Sequence, residues 1–361
     1  PESVGFLQTL REAEEASGWK ARRGRRRRSS DGRLRGLGMA CCIYGTGNAY
    51  SPAEARVFLA ADGRIQVAAG VVDFGQGSKT VLCQIAAQAM DVPFDMLRMD
   101  RVDTGVDPFG GTSSSSRITM QGGMAVYRAA MQARGEILRL AEVLLEAAGE
   151  DLEIRGGEVR SRAHPETRVT LEEMAKAFVS DERKLLGSSD RIAPPVRVDK
   201  ETGLGDPWEV YGFGTQVAEV LVDPETGEVE VSGMWAAHDV GKAISPQGVS
   251  QQIEGGVYMG LGFGLMEEII QPGGRMANPD LHTYLIPTAE DVPDRVESRI
   301  VEAPYSRGPY GAKGVGEQVT VPTAPAVANA VCDALGVRFR ELPLSPERVA
   351  LAVAARRRKG G

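Results

Sequence analysis

Near its C-terminus the chain reads Gly-Pro-Tyr-Gly-Ala-Lys-Gly-Val-Gly-Glu over residues 308–317. Because four of these ten residues are glycine, the loop carries few side chains and its backbone can approach a bulky ligand closely. The loop ends at Glu317, whose carboxylate can act as a general base when it is held in place. Taken alone, the segment favours a glycine-rich turn followed by a surface glutamate, but three further segments change this interpretation.

The first of these segments reads Gly-Val-Val-Asp-Phe-Gly-Gln-Gly-Ser-Lys-Thr over residues 70–80. Gly70 and Gly75 have the separation of a P-loop, but Gln76 stands where that motif has lysine. The dinucleotide-binding pattern also fails, because Thr80 replaces its third glycine. What remains is a strand, a tight turn and a helix start, whose backbone N–H groups suit an anion or a heterocycle. Taken alone, this segment favours a structural turn.

The second segment, residues 110–119, reads Gly-Gly-Thr-Ser-Ser-Ser-Ser-Arg-Ile-Thr directly before a predicted helix. Hydroxyls, amides and one arginine before a helix are typical of a phosphate or pyrophosphate site, and the alternative is a flexible serine-rich loop. The third segment joins His-Asp-Val-Gly-Lys-Ala-Ile-Ser-Pro (238–246) to Gln-Gln-Ile-Glu-Gly-Gly (251–256). Gln252 is either a core amide or a ligand contact, and taken alone both Gln252 and His238 favour a core role.

The composition predicts a large globular enzyme rather than a nucleic-acid binder. The chain has 361 residues, 42% of them hydrophobic, and a net charge of -7. The basic runs at residues 22–28 and 356–359 predict a solvated linker and a solvated tail. No apolar run is long enough to span a membrane and no charged-then-apolar leader is present, so we expect a cytoplasmic enzyme or enzyme subunit.

The cysteines and histidines predict no protein-built metal cage. The four cysteines include no C-x-x-C pair, and the three histidines are far apart in sequence. The adjacent residues Cys41 and Cys42 predict buried strand thiols.

The periodicity predicts an α+β fold with two related α/β subdomains. Each half has a hairpin, then Asp-x-Gly (residues 73–75 and 239–241), then a helix. We expect residues 1–36 to form a helix and a basic linker, 37–210 the first subdomain, and 211–361 the second. Helices are predicted at 7–19, at 78–90, at 123–148 with a disturbance at Gly135, after the capping box 170–173, at 247–268 and at 324–335. Hairpins are predicted to join 56–59 to 64–68 and 216–222 to 228–231. We expect residues 181–207 to form a surface excursion and regular structure to end at Pro343.

Together the motifs resemble the molybdopterin-binding subunit of the xanthine dehydrogenase/aldehyde oxidase family, where they occur in the same order. The motifs are Asp-Phe-Gly-Gln-Gly (73–77), Ser-Ser-Arg-Ile-Thr (115–119), His-Asp-Val-Gly-Lys-Ala-Ile-Ser-Pro (238–246), Gln-Ile-Glu-Gly-Gly (252–256) and Gly-Ala-Lys-Gly-Val-Gly-Glu (311–317), and Gln-Val-Ala-Glu-Val-Leu-Val-Asp (216–223) also fits. The resemblance extends from Trp19 to Val353. As a set, the motifs are specific for the family but not for a substrate.

The resemblance implies a molybdenum hydroxylase in which the dithiolene of molybdopterin binds molybdenum, so no protein metal ligand is needed. It implies that Glu317 is the general base, with a pKa raised by a dry pocket. Arg307 and Tyr310 are candidates for facing the substrate. The residues expected to bind the cofactor are Phe74, Gly75, Gln76, Gly77, Ser115, Ser116, Arg117, Thr119, Gln252, Lys313, Gly314, Val315 and Gly316. Ser116, Arg117 and Thr119 would bind the pyrophosphate of the dinucleotide, which we expect to be molybdopterin cytosine dinucleotide.

The chain departs from the family in length, because it resembles only the C-terminal half of that subunit. The similarity is to the medium molybdopterin subunit of nicotinate dehydrogenase, one piece of a split enzyme; a truncated product of a longer ancestor is the other reading. The resemblance implies a partner with the N-terminal half, and 2Fe-2S and FAD subunits that accept the electrons. The substrate would be an N-heteroaromatic compound, nicotinate- or purine-like, or an aldehyde, hydroxylated with oxygen derived from water.

Two other functions remain open from the residues. A non-catalytic or degenerate assembly subunit would keep the fold and lose turnover, and the presence of Glu317 favours catalysis over this reading. A free-standing P-loop protein would need a lysine at position 76, where the chain has Gln76.

Overall fold

The structure, a computed structural model, describes residues 2–25, 27–48, 52–100, 102–190 and 197–360. The α-helices of these residues are α1 (Phe6–Ser17), α2 (Trp19–Arg22), α3 (Ser78–Met90), α4 (Gly123–Leu145), α5 (Leu171–Phe178), α6 (Pro246–Leu265), α7 (Thr323–Leu335) and α8 (Pro346–Gly360). The strands are β1 (Arg27–Arg28), β2 (Leu34–Asn48), β3 (Arg56–Ala60), β4 (Ile65–Ala68), β5 (Leu97–Arg98), β6 (Leu152–Arg155), β7 (Glu158–Ser161), β8 (Arg168–Thr170), β9 (Arg183–Ser188), β10 (Arg197–Val198), β11 (Gly205–Asp206), β12 (Trp208–Val222), β13 (Val229–Asp239) and β14 (Val296–Val301). This mixture confirms the predicted α+β class.

The chain divides into two units, and each unit contains segments that are distant in sequence. The first unit comprises Pro1–Tyr44, Tyr211–Ala303 and Val315–Gly361, and the second comprises Gly45–Val210 and Pro304–Gly314. These units group the residues differently from the predicted ranges. The N-terminal helix belongs to the first unit, and residues 304–314 belong to the second although they lie late in the chain.

The first unit is built on a mixed sheet in the order β1-β2-β12-β13-β14. Alternate residues of the sheet contribute to separate clusters, because successive side chains of a strand point to opposite faces. Val217 and Trp235 pack with Ala13 of α1, whereas Ala218 and Met234 belong to the cluster that contains residues of α6, α7 and α8. Both faces of the sheet are therefore covered by helices.

Helix α6 connects β13 to β14, which run parallel to each other. Ser245 caps α6 by accepting a hydrogen bond from the backbone N–H of Gly248, and Pro246 stands in the first turn, where its missing N–H has no intrahelical partner to lose. Gly260 lets α7 approach α6, since an added Cβ atom would lie 2.3 Å from the Cβ atom of Thr323.

The second unit contains a sheet in the order β5-β4-β3-β9, a three-stranded sheet β6-β7-β8 and the helices α3, α4 and α5. Helix α4 packs against α3, β3 and β9. Its buried side chains are mostly small, including Ala125, Ala129 and Ala133, so the backbone of β9 can come close to it. Thr170 and Glu173 form the predicted capping box at the start of α5.

Most predicted elements are confirmed within a few residues, including α3, α6, α7 and both hairpins. The disturbance predicted at Gly135 is wrong, since α4 continues through it; the burial of neighbouring apolar residues offsets the roughly 1 kcal/mol by which glycine weakens a helix. The end of regular structure at Pro343 is also wrong. Helix α8 follows, and Val349 and Val353 on it are buried in the core of the first unit.

Two smaller expectations are also corrected. Residues 181–207 are not only a surface excursion, because they contain β9, which pairs with β3. The charged residues Arg183 and Lys184 at the start of β9 obscure the strand pattern in the sequence, although Leu186 is buried. Residues 191–196 of that range lie outside the described residues. Cys42 is buried but Cys41 is exposed, since neighbours on a strand face opposite sides.

The contact between α6 and α7 gives a stability prediction. Replacing Gly260 with Ala should lower the free energy of unfolding by about 1–3 kcal/mol, because the added methyl group overpacks against Thr323. Gly255→Ala on the same helix is the matched control, since its Cβ atom would meet nothing within 4 Å. The control should be neutral or stabilising by about 0.5–1 kcal/mol, the helix preference of Ala over Gly. Urea unfolding of the two variants measures the difference, and equal midpoints would contradict the packing argument.

Candidate functional site

The predicted site residues fall into two groups, one in each unit. The second unit contains the predicted cofactor residues between 74 and 119, together with Lys313, Gly314 and the substrate candidates Arg307 and Tyr310. The first unit contains Gln252, Val315, Gly316 and Glu317.

In the second unit, the segments at 70–80 and 110–119 are joined through their backbones. The N–H of Gly70 donates to the carbonyl oxygen of Pro108 over 3.0 Å. A Cβ atom on Gly110 would lie 1.9 Å from the carbonyl oxygen of Gly70. The Ser113 hydroxyl also donates to the carbonyl oxygen of Val72 over 3.3 Å. Two motifs that are about forty residues apart in sequence therefore form one surface.

The segment at 304–314 joins the same surface. A Cβ atom on Gly314 would lie only 1.4 Å from the carbonyl oxygen of Ser116, so any other residue at 314 would displace the serine loop. Ser115 and Ser116 both have positive φ, at 55° and 48°, a conformation that L-residues seldom adopt in succession. The five residues after Arg117 form a π-helical turn, Ile118–Gly122, which contains Thr119 and continues into α4.

The turn at Phe74–Gly77 presents backbone rather than side chains. Gly75 has φ 119°, and an added Cβ atom at Gly75 or Gly77 would meet nothing within 4 Å. The Gln76 amide braces the turn, because its Oε1 accepts from the N–H of Phe74 over 2.8 Å and its Nε2 donates to the carbonyl oxygen of Val72 over 2.8 Å. The Phe74 ring at the tip is 72% exposed.

The carboxylate of Asp73 occupies the anion-binding position of this turn. It accepts hydrogen bonds from the N–H groups of Gly75 (3.0 Å) and Lys79 (3.0 Å). Burial alone would raise the pKa of Asp73, but hydrogen bonds from the backbone and from Ser78 outweigh it and lower the pKa. Of the two ligand types that the sequence left open here, an anion therefore fits poorly and a neutral heterocycle fits better.

Arg117 is completely buried and organises the serine loop from within. Its Nη1 donates to the carbonyl oxygens of Gly110 (2.7 Å) and Thr112 (3.0 Å), and its Nε donates to Oε1 of Gln121 (2.6 Å). Burial lowers the pKa of Arg117 to about 10, and the charge of Glu209 partly offsets the effect. The prediction of a direct contact between this side chain and a pyrophosphate does not fit such burial, so we interpret Arg117 as a residue that shapes the loop.

The two substrate candidates differ in their surroundings. The Arg307 side chain is 50% exposed, and its Nε lies 3.6 Å from Oε1 of the nearly buried Glu209. The Tyr310 hydroxyl instead donates to the carbonyl oxygen of Ile85 over 3.3 Å, and its ring packs edge-on against Tyr127 at 5.4 Å between centroids. Burial and the neighbouring Tyr127 raise the pKa of Tyr310 to about 12. Tyr310 is thus engaged in packing, whereas Arg307 can reach solvent.

In the first unit, Glu317 begins a short 3₁₀ turn, Glu317–Val319, and its side chain is exposed. The dry pocket that the sequence predicts around it does not match this exposure. Its negative charge reaches Tyr44 on β2, since burial and the charge of Glu317 together raise the pKa of that phenol. The preceding residues, Val315 and Gly316, are half-buried.

The residues directly after Glu317 are fixed by buried polar groups. Gln318 is fully buried; its Nε2 donates to the carbonyl oxygen of Asp239 over 3.2 Å, and its own carbonyl accepts from Sγ of Cys42 at 3.3 Å. Asp239 in turn accepts from the N–H groups of Gly241 and Gly5. The third sequence motif therefore anchors the segment that follows Glu317.

Gln252 lies half-buried on α6, beside an exposed stretch of that helix. Met259 and Phe263 on the same helix are 54% and 46% exposed. Across the described ranges, no group of three or more His, Cys, Asp or Glu residues could hold a metal ion. No helix in that part of the chain combines the length and apolarity needed to cross a bilayer.

The sequence profile of the molybdopterin cofactor-binding domain matches residues 12–293. The chain belongs to the molybdopterin cofactor-binding domain family. The match covers the motifs at 73–77, 115–119, 238–246 and 252–256. Membership confirms the resemblance that the motifs predict.

The relatives of this chain include subunits of oxidoreductases. It is 31% identical over 356 residues to the xanthine dehydrogenase molybdenum-binding subunit of Escherichia coli O157:H7, covering 96% of this chain and 46% of the relative. It is 30% identical to the nicotine 6-hydroxylase large subunit of Paenarthrobacter nicotinovorans, covering 89% of this chain and 40% of the relative. The crystal structure of quinoline 2-oxidoreductase from Pseudomonas putida 86 superposes with a TM-score of 0.82 at 29% identity, covering 98% of this chain and 46% of that one. The chain therefore spans slightly less than half the length of these relatives.

The residues of the second unit fit a cofactor that is bound mainly through backbone. An added Cβ atom at Gly75 or Gly77 would meet nothing within 4 Å, and the side chains of Phe74 in this turn and of Phe109 in the joined segment are 72% and 50% exposed. Exposed aromatic side chains next to bare backbone suit a flat heterocycle such as a pterin.

Sequence reasoning missed the buried polar side chains that hold these segments. Gln121 and Glu209 support Arg117 in the second unit, where Nε2 of Gln121 donates to Oε2 of Glu209 over 3.1 Å. Gln216 and Gln318 hold the segment after Glu317 in the first unit. An available signal was the occurrence of single glutamines inside apolar strands and loops, since a buried amide requires specific partners.

His238 provides a pH prediction. Burial lowers its pKa to about 3, below its ordinary value of 6.5, so the unfolded chain binds a proton more readily than the folded chain between these pH values. The contribution of neutral His238 to the free energy of unfolding is fully present above pH 6.5 and is lost as the pH falls towards 3. Between pH 6.5 and 4.5 the loss attributable to His238 should reach about 2–3 kcal/mol.

Urea unfolding at several pH values tests this, with His238→Gln as the variant and His164→Gln, whose side chain is 73% exposed, as the control. The His238 variant should show a smaller decrease in unfolding free energy on acidification, and the control should behave like the unchanged chain. Equal pH dependence in the unchanged chain and the His238 variant would contradict the assignment.

Proposed function

We propose that this chain is the C-terminal part of the molybdopterin-binding catalytic machinery of a molybdenum hydroxylase. The reaction is hydroxylation of an N-heteroaromatic compound, or otherwise of an aldehyde, with oxygen derived from water. The observation that carries the proposal is the exposed carboxylate of Glu317, which directly precedes two residues whose backbone and side chains are fixed in the core. The names of two relatives, nicotine 6-hydroxylase and quinoline 2-oxidoreductase, support a ring nitrogen in the substrate.

The cofactor in this proposal is molybdenum-molybdopterin in its cytosine dinucleotide form. When bound, it supplies the two-electron oxidation and the oxygen transfer, which no side chain of the protein can perform. The turn Phe74–Gly77 and the backbone of Ser115, Ser116, Thr119, Lys313 and Gly314 would hold it in the second unit. Gln252, Val315 and Gly316, which lie in the first unit, stay predicted cofactor contacts. Arg117 would act through the shape of the serine loop.

Glu317 would act as the general base. Its carboxylate would accept the proton that leaves the attacking hydroxyl group, which is a role that suits an exposed carboxylate followed by residues held in the core. A hydroxylase site must exclude water, whereas Glu317 is exposed in this chain. We therefore propose that additional polypeptide, corresponding to the remaining length of the relatives, covers the carboxylate and raises its basicity through desolvation.

Arg307 is the proposed substrate contact of this chain. Its half-exposed guanidinium is tethered at one edge by Glu209, which leaves its other N–H groups available to a ring nitrogen or a carboxylate. Tyr310 is the weaker candidate because its hydroxyl is engaged with Ile85. In this proposal the chain is one subunit of a complex, and electrons would pass to partner subunits that carry 2Fe-2S clusters and FAD.

The alternative is a non-catalytic subunit that keeps the fold. A degenerate copy has no need of a carboxylate at 317 or of a neighbour, Gln318, that is held through both its carbonyl oxygen and its side chain, so these residues favour catalysis.

The central test is Glu317→Gln in the purified native complex. The amide keeps the shape but cannot accept a proton, so the rate of substrate-dependent reduction should fall about 10²–10⁴-fold. Molybdenum and pterin content should stay near normal, because backbone rather than the carboxylate binds the cofactor. Glu341→Gln, whose carboxylate is 81% exposed in the same unit, is the control and should leave the rate unchanged. A near-normal rate in the Glu317 variant would assign the base to another residue.

A second test concerns the missing length. Native purification of this chain should recover a polypeptide equivalent to the N-terminal half of the relatives, because Phe74, Val72 and Phe109 otherwise expose apolar surface. Mass spectrometry of the purified material identifies it. A chain that hydroxylates substrate without additional polypeptide would disprove the split arrangement.

A further inference from the structure

Gln216 lies on β12, is completely buried, and uses both ends of its amide. Its Nε2 donates to the carbonyl oxygen of Val319 over 2.7 Å and lies 3.1 Å from Nε2 of His238. Its Oε1 accepts from the Thr323 hydroxyl over 2.6 Å. A buried amide with such partners is expensive to disturb, because any group left without a partner retains its desolvation penalty.

The orientation of this amide depends on His238. Since the NH₂ group of Gln216 faces Nε2 of the imidazole, this arrangement assigns Nε2 as the acceptor and the ring proton to Nδ1, a buried atom with no hydrogen-bond partner among the described residues. The ring is fully buried and its pKa is about 3, so the neutral form persists throughout the physiological range. A protonated ring would present an N–H to the amide, and Gln216 would have to turn its Nε2 away from Val319.

The carbonyl oxygen that Gln216 holds is two residues after Glu317. Between them, Gln318 is fixed by Asp239 and Cys42. The N–H of Val319 donates to the carbonyl oxygen of Gly316 (3.3 Å), and the N–H of Thr320 donates to that of Glu317 (3.1 Å), so the backbone on both sides of Glu317 is tied to the same short turn. A displacement at Val319 is thereby transmitted to the Cα atom of Glu317.

We infer that Gln216, oriented by neutral His238 and by Thr323, is the positioning residue for Glu317. The inference rests on the proposed role of Glu317 as the general base. It assigns a function to two motifs, 216–223 and 238–246, to which the cofactor and substrate contacts give none. Gln216 does not touch the reacting atoms; it acts through the carbonyl oxygen of Val319.

The test uses Gln216→Met in the native complex, because methionine has similar length and no hydrogen-bonding amide. Thr323→Val removes the hydroxyl that donates to Oε1 of Gln216 and that also lies 3.3 Å from the carbonyl oxygen of Val319. It provides a milder second variant, with Thr323→Ser as the conservative rescue. Asn278→Leu is the matched control, since Asn278 is also a buried amide of the first unit but bonds to Ile270 and Glu268 rather than to the turn 317–319.

Two readouts are needed, and one of them is independent of turnover. Hydrogen–deuterium exchange should accelerate roughly tenfold at the amides of Val319 and Thr320 in Gln216→Met, because these N–H groups donate within the turn that loses a buried anchor. In the same variant kcat should fall about 10–100-fold with little change in KM, as expected when a catalytic group is misplaced by a fraction of an ångström to 1 Å. Thr323→Val should show the same changes more weakly, and Thr323→Ser and Asn278→Leu should show neither.

The outcomes separate this inference from the proposed function. Unchanged exchange at the amides of Val319 and Thr320 in both Gln216→Met and Thr323→Val would overturn the inference, whatever the activity of Glu317→Gln. Accelerated exchange with unchanged kcat would also overturn the inference, because the turn would then be loosened without any effect on catalysis by Glu317. Normal activity of Glu317→Gln would instead remove the proposed function, and Gln216 would remain only an anchor of the turn. If Gln216→Met does not fold, the Thr323 pair decides by the same two readouts.

Discussion

Contact between backbones at glycine is the constraint on which both units depend. In the second unit a Cβ atom on Gly314 would lie 1.4 Å from the carbonyl oxygen of Ser116, and in the first a Cβ atom on Gly260 would lie 2.3 Å from the Cβ atom of Thr323. No rotamer change can relieve such overlaps, because the atoms concerned belong to the backbone or to Cβ itself. At these positions the segments therefore carry glycine, and their backbones lie directly against neighbouring atoms.

Buried polar side chains supply the second requirement, which is a fixed backbone. Arg117 donates to two carbonyl oxygens of the serine loop, and Gln216 donates to the carbonyl oxygen of Val319. Each is itself held by a further buried group, Gln121 for Arg117 and His238 for Gln216. Such networks are rigid because an unpaired buried donor or acceptor is costly. They hold the backbone of the serine loop and of the segment after Glu317, while the Glu317 side chain itself is exposed.

The sequence predicts site residues where a motif carries a chemical group at a defined place, and the roles of these residues stay predictions. The carboxylate at 317 and the bare turn at 75–77 belong to this class, and their local geometry follows from glycine and sequence spacing. The exact use of Arg117 and Tyr310 could not be predicted. Both belong to residue types that often face ligands, yet burial makes Arg117 an internal donor and packs Tyr310 against Tyr127. Burial depends on what the rest of the chain places around a residue.

The sequence by itself determined the family, the α+β class and most helices and hairpins, because apolar periodicity, caps and turn residues act over a few positions. It also indicated Glu317. Only the tertiary structure decided that residues 304–314 belong to one unit and Val315–Gly361 to the other, and that α1 and α8 complete the core of the first unit. Only the tertiary structure selected Gln216, His238 and Gln318 as the anchors of the segment after Glu317. These contacts join residues up to 276 positions apart, and no local pattern specifies which buried amide meets which carbonyl oxygen.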